Sequence, residues 1–196
     1  MSDRFAHVAA VIGGVVAAAL RDAGRARVVV VDHTPPESAL LIRLLERAQP
    51  TLPVVRVDGD DIDDARTRAR REANGDGLLA DPVNKTVALL FPELLAEPLL
   101  PLADLYATQV RELAGDWSAP AAARELISGC GGIETVDAFL VAHLDQRRGL
   151  DAALTAIPHV AARTALRERF LAGWWWRRRA GVVPKLGART LGIDLR

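Results

Sequence analysis

Cysteine is almost absent from this chain of 196 residues, which contains a single one, Cys130. One cysteine excludes an internal disulfide and a cysteine-rich metal site. The lack of disulfides is typical of proteins in a reducing compartment, so we expect a cytoplasmic protein. Cys130 lies in the flexible segment SGCGG without an evident base beside it, which argues against a nucleophilic role.

An excess of charge of either sign is missing as well. Lys plus Arg number 25 and Asp plus Glu number 25, so the formal net charge is zero. A chain without a bulk positive field has no general attraction for nucleic acid or for an anionic membrane. We therefore expect no membrane partner, and we disfavour a nucleic-acid partner.

The first apolar run, residues 8–20, is too short for a membrane span, which needs about 20 apolar residues. Asp3 lies where a signal peptide would carry positive charge, and a charged segment follows the run. We interpret this run as a buried helix.

The order of predicted elements favours an α/β fold in a single domain, residues 1–196. In residues 1–100, the predicted strands lie at 27–32, at 53–57 and from 77 onward. They alternate with helices, one at 5–23 and one that follows the turn after the first strand and ends at residue 48. Residues 60–77 are densely charged, which predicts a solvated helix or a partly ordered crossover. Residues 101–196 indicate a helical flank and a basic tail. The pattern predicts a three-layer fold with a small parallel sheet and a C-terminal helical subdomain.

The turn after the first strand contains two adjacent prolines, Pro35 and Pro36. In α/β proteins this turn is the usual phosphate cradle, because free N–H groups and the positive end of the helix dipole face the ligand. Proline has no N–H group and a fixed φ, so these two residues are unexpected in such a cradle.

Three segments point to a known family. They are residues 101–115 (PLADLYATQVRELAG), residues 84–86 (NKT), which precede that segment in the chain, and the tail 174–196 (WWWRRRAGVVPKLGARTLGIDLR), which follows it. They resemble, in the same order, motifs of NAD synthetases: the segment around Asp-Leu-Tyr-Lys-Thr-Gln-Val-Arg, the Asn-Lys-Ser/Thr-Glu motif, and the closing Lys-Arg-Arg to Asp-x-Arg tail. Residues 134–145 fall on the helix before that tail. The resemblance covers nearly all of the chain, which is shorter than the family domain between the second strand and Asn84.

The resemblance implies a sheet of the ATP-pyrophosphatase type, with ATP and Mg²⁺ as cofactors of an amide-forming ligase and dimerisation through helices. The family's Ser-Gly-Gly-x-Asp-Ser loop falls on residues 33–38, HTPPES. The positions that match the family's ATP site, and that we interpret as a vestigial site, are His33, Thr34, Glu37, Ser38, Asn84 and Lys85.

Several family positions have changed in this chain. The two glycines that let backbone N–H groups approach a pyrophosphate are gone. The threonine and the magnesium-binding glutamate around the Asn-Lys motif are replaced by Pro82 and Val87, and two lysines by Ala107 and Trp176. The losses lie at phosphate and metal positions, and the matches lie at apolar and packing positions. This distribution predicts an inactive site on a retained scaffold.

The altered turn also has the pattern of a helix that caps itself. Thr34 followed three residues later by Glu37 is a capping box, and Pro35 falls on the first helical position, where a missing N–H matters least. Glu37 places a negative charge at the end of the dipole where a phosphate would bind. We therefore expect the anion site to be filled from within.

Three functions follow as hypotheses. The favoured one is a catalytically inactive NAD synthetase-like protein that forms a homodimer or binds another protein, without a cofactor. The second is an active amide-forming ligase that uses ATP and Mg²⁺ with a rebuilt site, in which Glu37 does the work of the family's aspartate. The third is a nucleic-acid accessory protein that stacks bases on residues 174–179 (WWWRRR), although a protein interface is the preferred interpretation of this segment.

Other polar residues are given structural interpretations. The four histidines lack the spacing of metal ligands, so no metal site and no catalytic residue is predicted. His33 is interpreted as a surface histidine. Asp58, Asp60 and Asp61 follow the second strand, and a solvated acidic turn is preferred to a cation site.

Overall fold

The structure, a computed structural model, describes residues 3–33, 35–95, 99–173 and 183–186, with the backbone alone at Pro35. Within these ranges the strands are β1 (Arg27–Asp32), β2 (Val54–Asp58) and β3 (Gly77–Ala80). They form one parallel sheet in the order β2-β1-β3. Val28 of the central strand is in register with Val54 and with Leu78. The predicted α/β fold with a small parallel sheet is confirmed.

The central strand is buried on both sides because helices cover both faces of this sheet. The helices of the first half are α1 (Asp3–Ala23), α2 (Pro35–Ala48), α3 (Ile62–Glu72) and α4 (Lys85–Leu90). Successive strand side chains point to opposite faces. Val28 and Val30 accordingly join the core with α1, α2 and α4, whereas Val29 and Val31 pack against α3.

The second half of the described chain is helical, as predicted. A 3-10 turn at Pro92–Leu94 leads to α5 (Ala107–Ala114), α6 (Ala121–Gly129), α7 (Ile133–Leu140), a π-helical turn (Val141–Asp145), α8 (Leu150–Leu154) and α9 (Val160–Ala172). Gly115 ends α5 in the left-handed region with φ of 90°, the conformation in which glycine commonly ends a helix. Buried residues of every described α-helix except α3 belong to one continuous hydrophobic core, whereas those of α3 form a second, smaller cluster with the other face of the sheet.

The apolar run near the N-terminus forms α1, which packs on α2 with one face buried. The buried face is Phe5, Val8, Ala9, Ile12, Gly13, Val16 and Leu20. By length and composition this helix could cross a membrane, although in the structure it packs on the protein core. The cytoplasmic location stays a prediction.

The charged segment after β2 is an ordered helix, α3. Asp61 caps it by accepting hydrogen bonds from the backbone N–H groups of Asp63 and Asp64, both at 2.9 Å. Ala65 and Ala69 provide the narrow apolar contact with the sheet. Arg66 is also buried and donates a hydrogen bond to the carbonyl of Leu94, whereas most of the remaining side chains of α3 are exposed.

Gly13 is required by the close contact of α1 and α2. A Cβ atom at this position would lie 2.4 Å from the Cβ of Ala48, which is far inside van der Waals contact. We expect Gly13→Ala to lower the free energy of unfolding by about 1–3 kcal/mol, as overpacking usually does.

The neighbouring residue provides a matched control. A Cβ on Gly14 would meet nothing within 4 Å, so Gly14→Ala should raise stability by roughly 0.5–1 kcal/mol through helix propensity. Urea denaturation of both variants measures the difference. Equal effects of the two substitutions would contradict the close helix contact.

Candidate functional site

The predicted site residues lie where β1 and β3 end. His33 follows β1 and Asp81 follows β3, and the carboxyl ends of adjacent parallel strands meet at one edge of a sheet. His33 Nε2 lies 2.8 Å from Asp81 Oδ1. The His33 side chain is 6% exposed, so the interpretation as a surface histidine was wrong. The imidazole is buried because the neighbouring strand end supplies a carboxylate for it.

Glu37 is the central residue of this edge. The helix α2 begins at Pro35, which confirms the predicted first helical position, and Glu37 lies in its first turn with no exposed surface. Its Oε1 accepts hydrogen bonds from Asn84 Nδ2 at 3.0 Å and from Trp117 Nε1 at 2.6 Å. Its Oε2 is buried and has no hydrogen-bond partner among the described residues. We call Glu37, His33, Asp81, Asn84 and Trp117 the Glu37 cluster.

Burial controls the protonation of Glu37. Loss of water raises its pKa to about 7, although the hydrogen bonds from Trp117 and Asn84 and the nearby His33 oppose this shift. Near neutral pH the carboxyl group therefore carries its negative charge only part of the time. The average negative charge of Glu37 at the start of α2 is thus smaller than that of a solvated glutamate.

Two further predicted residues belong to the same turn. Thr34 lies outside the described residues, so the capping box that it would form with Glu37 stays a prediction. Ser38 follows Glu37 in the first turn of α2 and is fully buried.

Asn84 joins the start of α4 to the start of α2. Its Oδ1 caps α4 by accepting the N–H of Val87 at 3.0 Å, and its Nδ2 donates to Glu37. One amide side chain thus uses both of its polar ends inside the protein. The predicted residues Glu37 and Asn84, 47 positions apart, are in direct contact.

Lys85 belongs to a second buried group, which we call the Lys85 cluster. Its Nζ lies 3.4 Å from Asp104 Oδ1, 3.9 Å from Asp145 Oδ1 and 4.7 Å from the centre of the Tyr106 ring. The lysine side chain has no exposed surface. A buried ammonium requires such partners, because desolvation of an unpaired charge costs several kcal/mol.

The Lys85 cluster also connects distant parts of the chain. Asp104 Oδ2 accepts the backbone N–H of Leu186 at 2.5 Å, and the Tyr106 hydroxyl donates to Asp145 Oδ2 at 3.0 Å. Burial, followed by the charge of Asp145, raises the pKa of Tyr106 above its ordinary value. The predicted motif around Asp104 therefore holds both Lys85 and the segment 183–186.

The third residue of the NKT segment has the same structural role. Thr86 Oγ1 donates to Asp137 Oδ1 at 2.5 Å and accepts the N–H of Ala107 at 3.0 Å. The N–H of Thr108 donates to the other oxygen of Asp137 at 2.7 Å. Burial raises the pKa of Asp137. These bonds connect α4, α5 and α7.

Three important residues were not among the predicted site residues: Asp81, Asp104 and Trp117. Asp81 directly follows β3, and this position at a strand end was the sequence signal that could have identified it as a site residue. Asp104 is part of the matched Asp-Leu-Tyr segment. Trp117 lies in an irregular loop, 80 residues from Glu37, and no local pattern indicates their contact.

Within the residues described, no three His, Cys, Asp or Glu side chains are grouped as ligands for a metal ion. Of the three aspartates Asp58, Asp60 and Asp61, Asp58 is the last residue of β2 and its side chain is 87% exposed, and Asp61 caps α3. The preferred interpretation of a solvated acidic turn agrees with these positions.

The chain matches no protein-family model, no curated protein and no solved structure in comparisons with each.

The buried carboxyl of Glu37 should make the stability of the fold depend on pH. Its pKa rises from an ordinary 4.5 to about 7 on folding, so between these values the folded state binds more protons than the unfolded state. The free energy of unfolding must then fall as pH rises through this window. We expect a loss on the order of 3 kcal/mol that Glu37→Gln abolishes.

Urea denaturation between about pH 5 and about pH 8 measures this loss. The control is Glu46→Gln, an exposed glutamate on the same helix, which should keep the wild-type pH dependence. Identical pH profiles for wild type and Glu37→Gln would contradict the assignment.

Removal of Lys85 should leave Asp104 as an uncompensated buried charge. We expect Lys85→Met to cost about 3–5 kcal/mol. The double variant Lys85→Met/Asp104→Asn should cost less than the sum of the single variants, because the two side chains interact directly. Arg68→Met is the control, since Arg68 forms only exposed ion pairs with Asp58 and Asp64 and should lose no more than about 1 kcal/mol. Additive effects in the double variant would show that the buried pair is not coupled.

Proposed function

We propose that this chain is a non-catalytic NAD synthetase-like protein of the ATP-pyrophosphatase type, which acts by binding a protein partner or a second copy of itself. Its counterpart of the nucleotide site is occupied by its own side chains. The resemblance of residues 84–86, 101–115 and 174–196 to that family supports the origin of the scaffold. The Glu37 cluster supports the loss of catalysis.

The observation that carries this proposal is the buried Glu37 carboxyl in the first turn of α2. This helix start is the place where an α/β protein would bind a phosphate. Here Trp117 and Asn84 donate to Glu37 instead, and the preceding Pro35 and Pro36 have no N–H groups for a ligand. A phosphate at this point would meet a carboxyl group and few donors.

Lys85 supports the same interpretation. In the family, the Asn-Lys segment lies beside the nucleotide. In this chain the ammonium group has no exposed surface and lies 3.4 Å from Asp104. A ligand phosphate would have to compete with a carboxylate that is already in place.

The residues present do not fit a magnesium-bound triphosphate. The family's magnesium glutamate corresponds to Val87, which is 1% exposed and packs in the core without an oxygen ligand. Glu37, the candidate substitute for the family's aspartate, is engaged by Trp117 and Asn84.

The two rival functions stay predictions. An active ligase would require the carboxyl of Glu37 to leave Trp117 and face solvent. A nucleic-acid role depends on residues 174–179, which lie outside the described residues.

Nucleotide binding separates the non-catalytic protein from the active ligase. For a ligand of micromolar affinity, about 1 mM ATP with Mg²⁺ would stabilise the folded state by about 4 kcal/mol. We expect no change in Tm for this chain, because its site is filled. An active NAD synthetase serves as the positive control. A rise in Tm, or pyrophosphate release with an acyl acceptor, would contradict the proposal.

A further inference from the structure

An open groove lies between the antiparallel helices α6 and α9. One end of the groove is lined by Ala122, at the start of α6, and by Ala172. The other end is lined by Gly129 and His159. The two adjoining parts have volumes of about 500 Å³ and about 550 Å³, and they share Ala122, Leu126 and Ala165 as lining residues.

The walls of this α6–α9 groove are built from small apolar residues. Alanine and glycine side chains let another helix approach closely, as in helix-in-groove recognition. Val160, which is 73% exposed, and Leu171, which is 45% exposed, also belong to α9, although neither lines the groove. Among the described residues these are the two exposed large hydrophobic side chains. An apolar surface with a polar rim is typical of an interaction site.

The rim of the groove is acidic on both walls. Glu125 of α6 and Glu168 of α9 are exposed lining residues, and neither takes part in an ion pair within the described ranges. Arg169 also lines the groove, but its charge is engaged, since it pairs with Glu93 and lies 4.6 Å from the centre of the Phe91 ring. The groove therefore presents negative charge on each side of an apolar floor.

We propose that the α6–α9 groove binds an amphipathic helix of a partner protein, with an apolar stripe flanked on both sides by Lys or Arg. The stretch from Ala162 to Ala172 rises about 15 Å along α9, enough for about three turns of a bound helix. Glu125 and Glu168 can pair with cationic side chains on both flanks of a bound helix, so charge complementarity favours a basic helix over an acidic one. This partner goes beyond the proposed function and does not depend on the state of the nucleotide site.

A synthetic peptide tests the groove directly. The probe is a fluorescein-labelled helical peptide of about 14 residues with a Leu/Ala face and a Lys face, and the comparison peptide carries Glu in place of Lys. We expect fluorescence anisotropy with the full chain to show at least about tenfold tighter binding of the Lys peptide, which corresponds to about 1.4 kcal/mol.

Substitutions in the groove separate specific docking from general charge attraction. Ala165→Trp fills the groove and should weaken Lys-peptide binding at least about tenfold. Thr164→Trp is the matched control, because Thr164 is an exposed neighbour on α9 that does not line the groove. The double reversal Glu125→Lys/Glu168→Lys should make the protein prefer the Glu peptide. Circular dichroism checks that each variant is folded.

Three results would overturn this proposal. The first is failure of the Lys peptide to bind the wild-type chain. The second is unchanged affinity in folded Ala165→Trp, which would place the peptide elsewhere. The third is a dimer in light scattering that Ala165→Trp dissociates and Thr164→Trp does not, which would place a second copy of this chain in the groove. ATP binding would contradict the proposed function alone and leave these three results unaffected.

Discussion

The buried carboxyl of Glu37 is the constraint on which the site depends. A carboxyl group without contact with water must find donors inside the protein or pay the full cost of desolvation. Trp117 and Asn84 provide those donors to one oxygen. The start of α2, the start of α4 and the loop after α5 are thereby held in one arrangement, although they are far apart along the chain.

The same interactions engage the polar side chains at this edge of the sheet with one another. In a parallel α/β fold, the carboxyl ends of the strands and the following helix starts are the ordinary ligand position. Here His33 pairs with Asp81, Asn84 caps α4, and Lys85 pairs with Asp104. Each of these side chains therefore interacts with another part of the fold. The polar residues of the Glu37 and Lys85 clusters are therefore explained by stability, and binding is more naturally assigned to the surface of the helical half.

Local patterns predicted much of the architecture. The start of α2 at Pro35 follows from proline geometry, and the end of α5 at Gly115 follows from glycine conformation. The strand at 27–32 follows from a run of β-branched residues. The contact of Glu37 with Asn84 agrees with their joint assignment to one site. The interpretation of His33 as a surface residue failed because its burial depends on Asp81, a residue of another strand. The role of Trp117 was not predicted, because a loop tryptophan has no periodic signal that identifies its partner.

The sequence by itself determined the elements and their order, since backbone preferences and hydrophobic periodicity act over a few residues. It also determined that the turn after β1 has two prolines where a phosphate loop needs N–H donors. Only the tertiary structure decided which charges are paired and which surface stays open. Burial, the pKa of Glu37 and the pairing of Lys85 depend on groups brought together from distant parts of the chain. The acidic groove between α6 and α9 likewise exists only after these helices pack side by side.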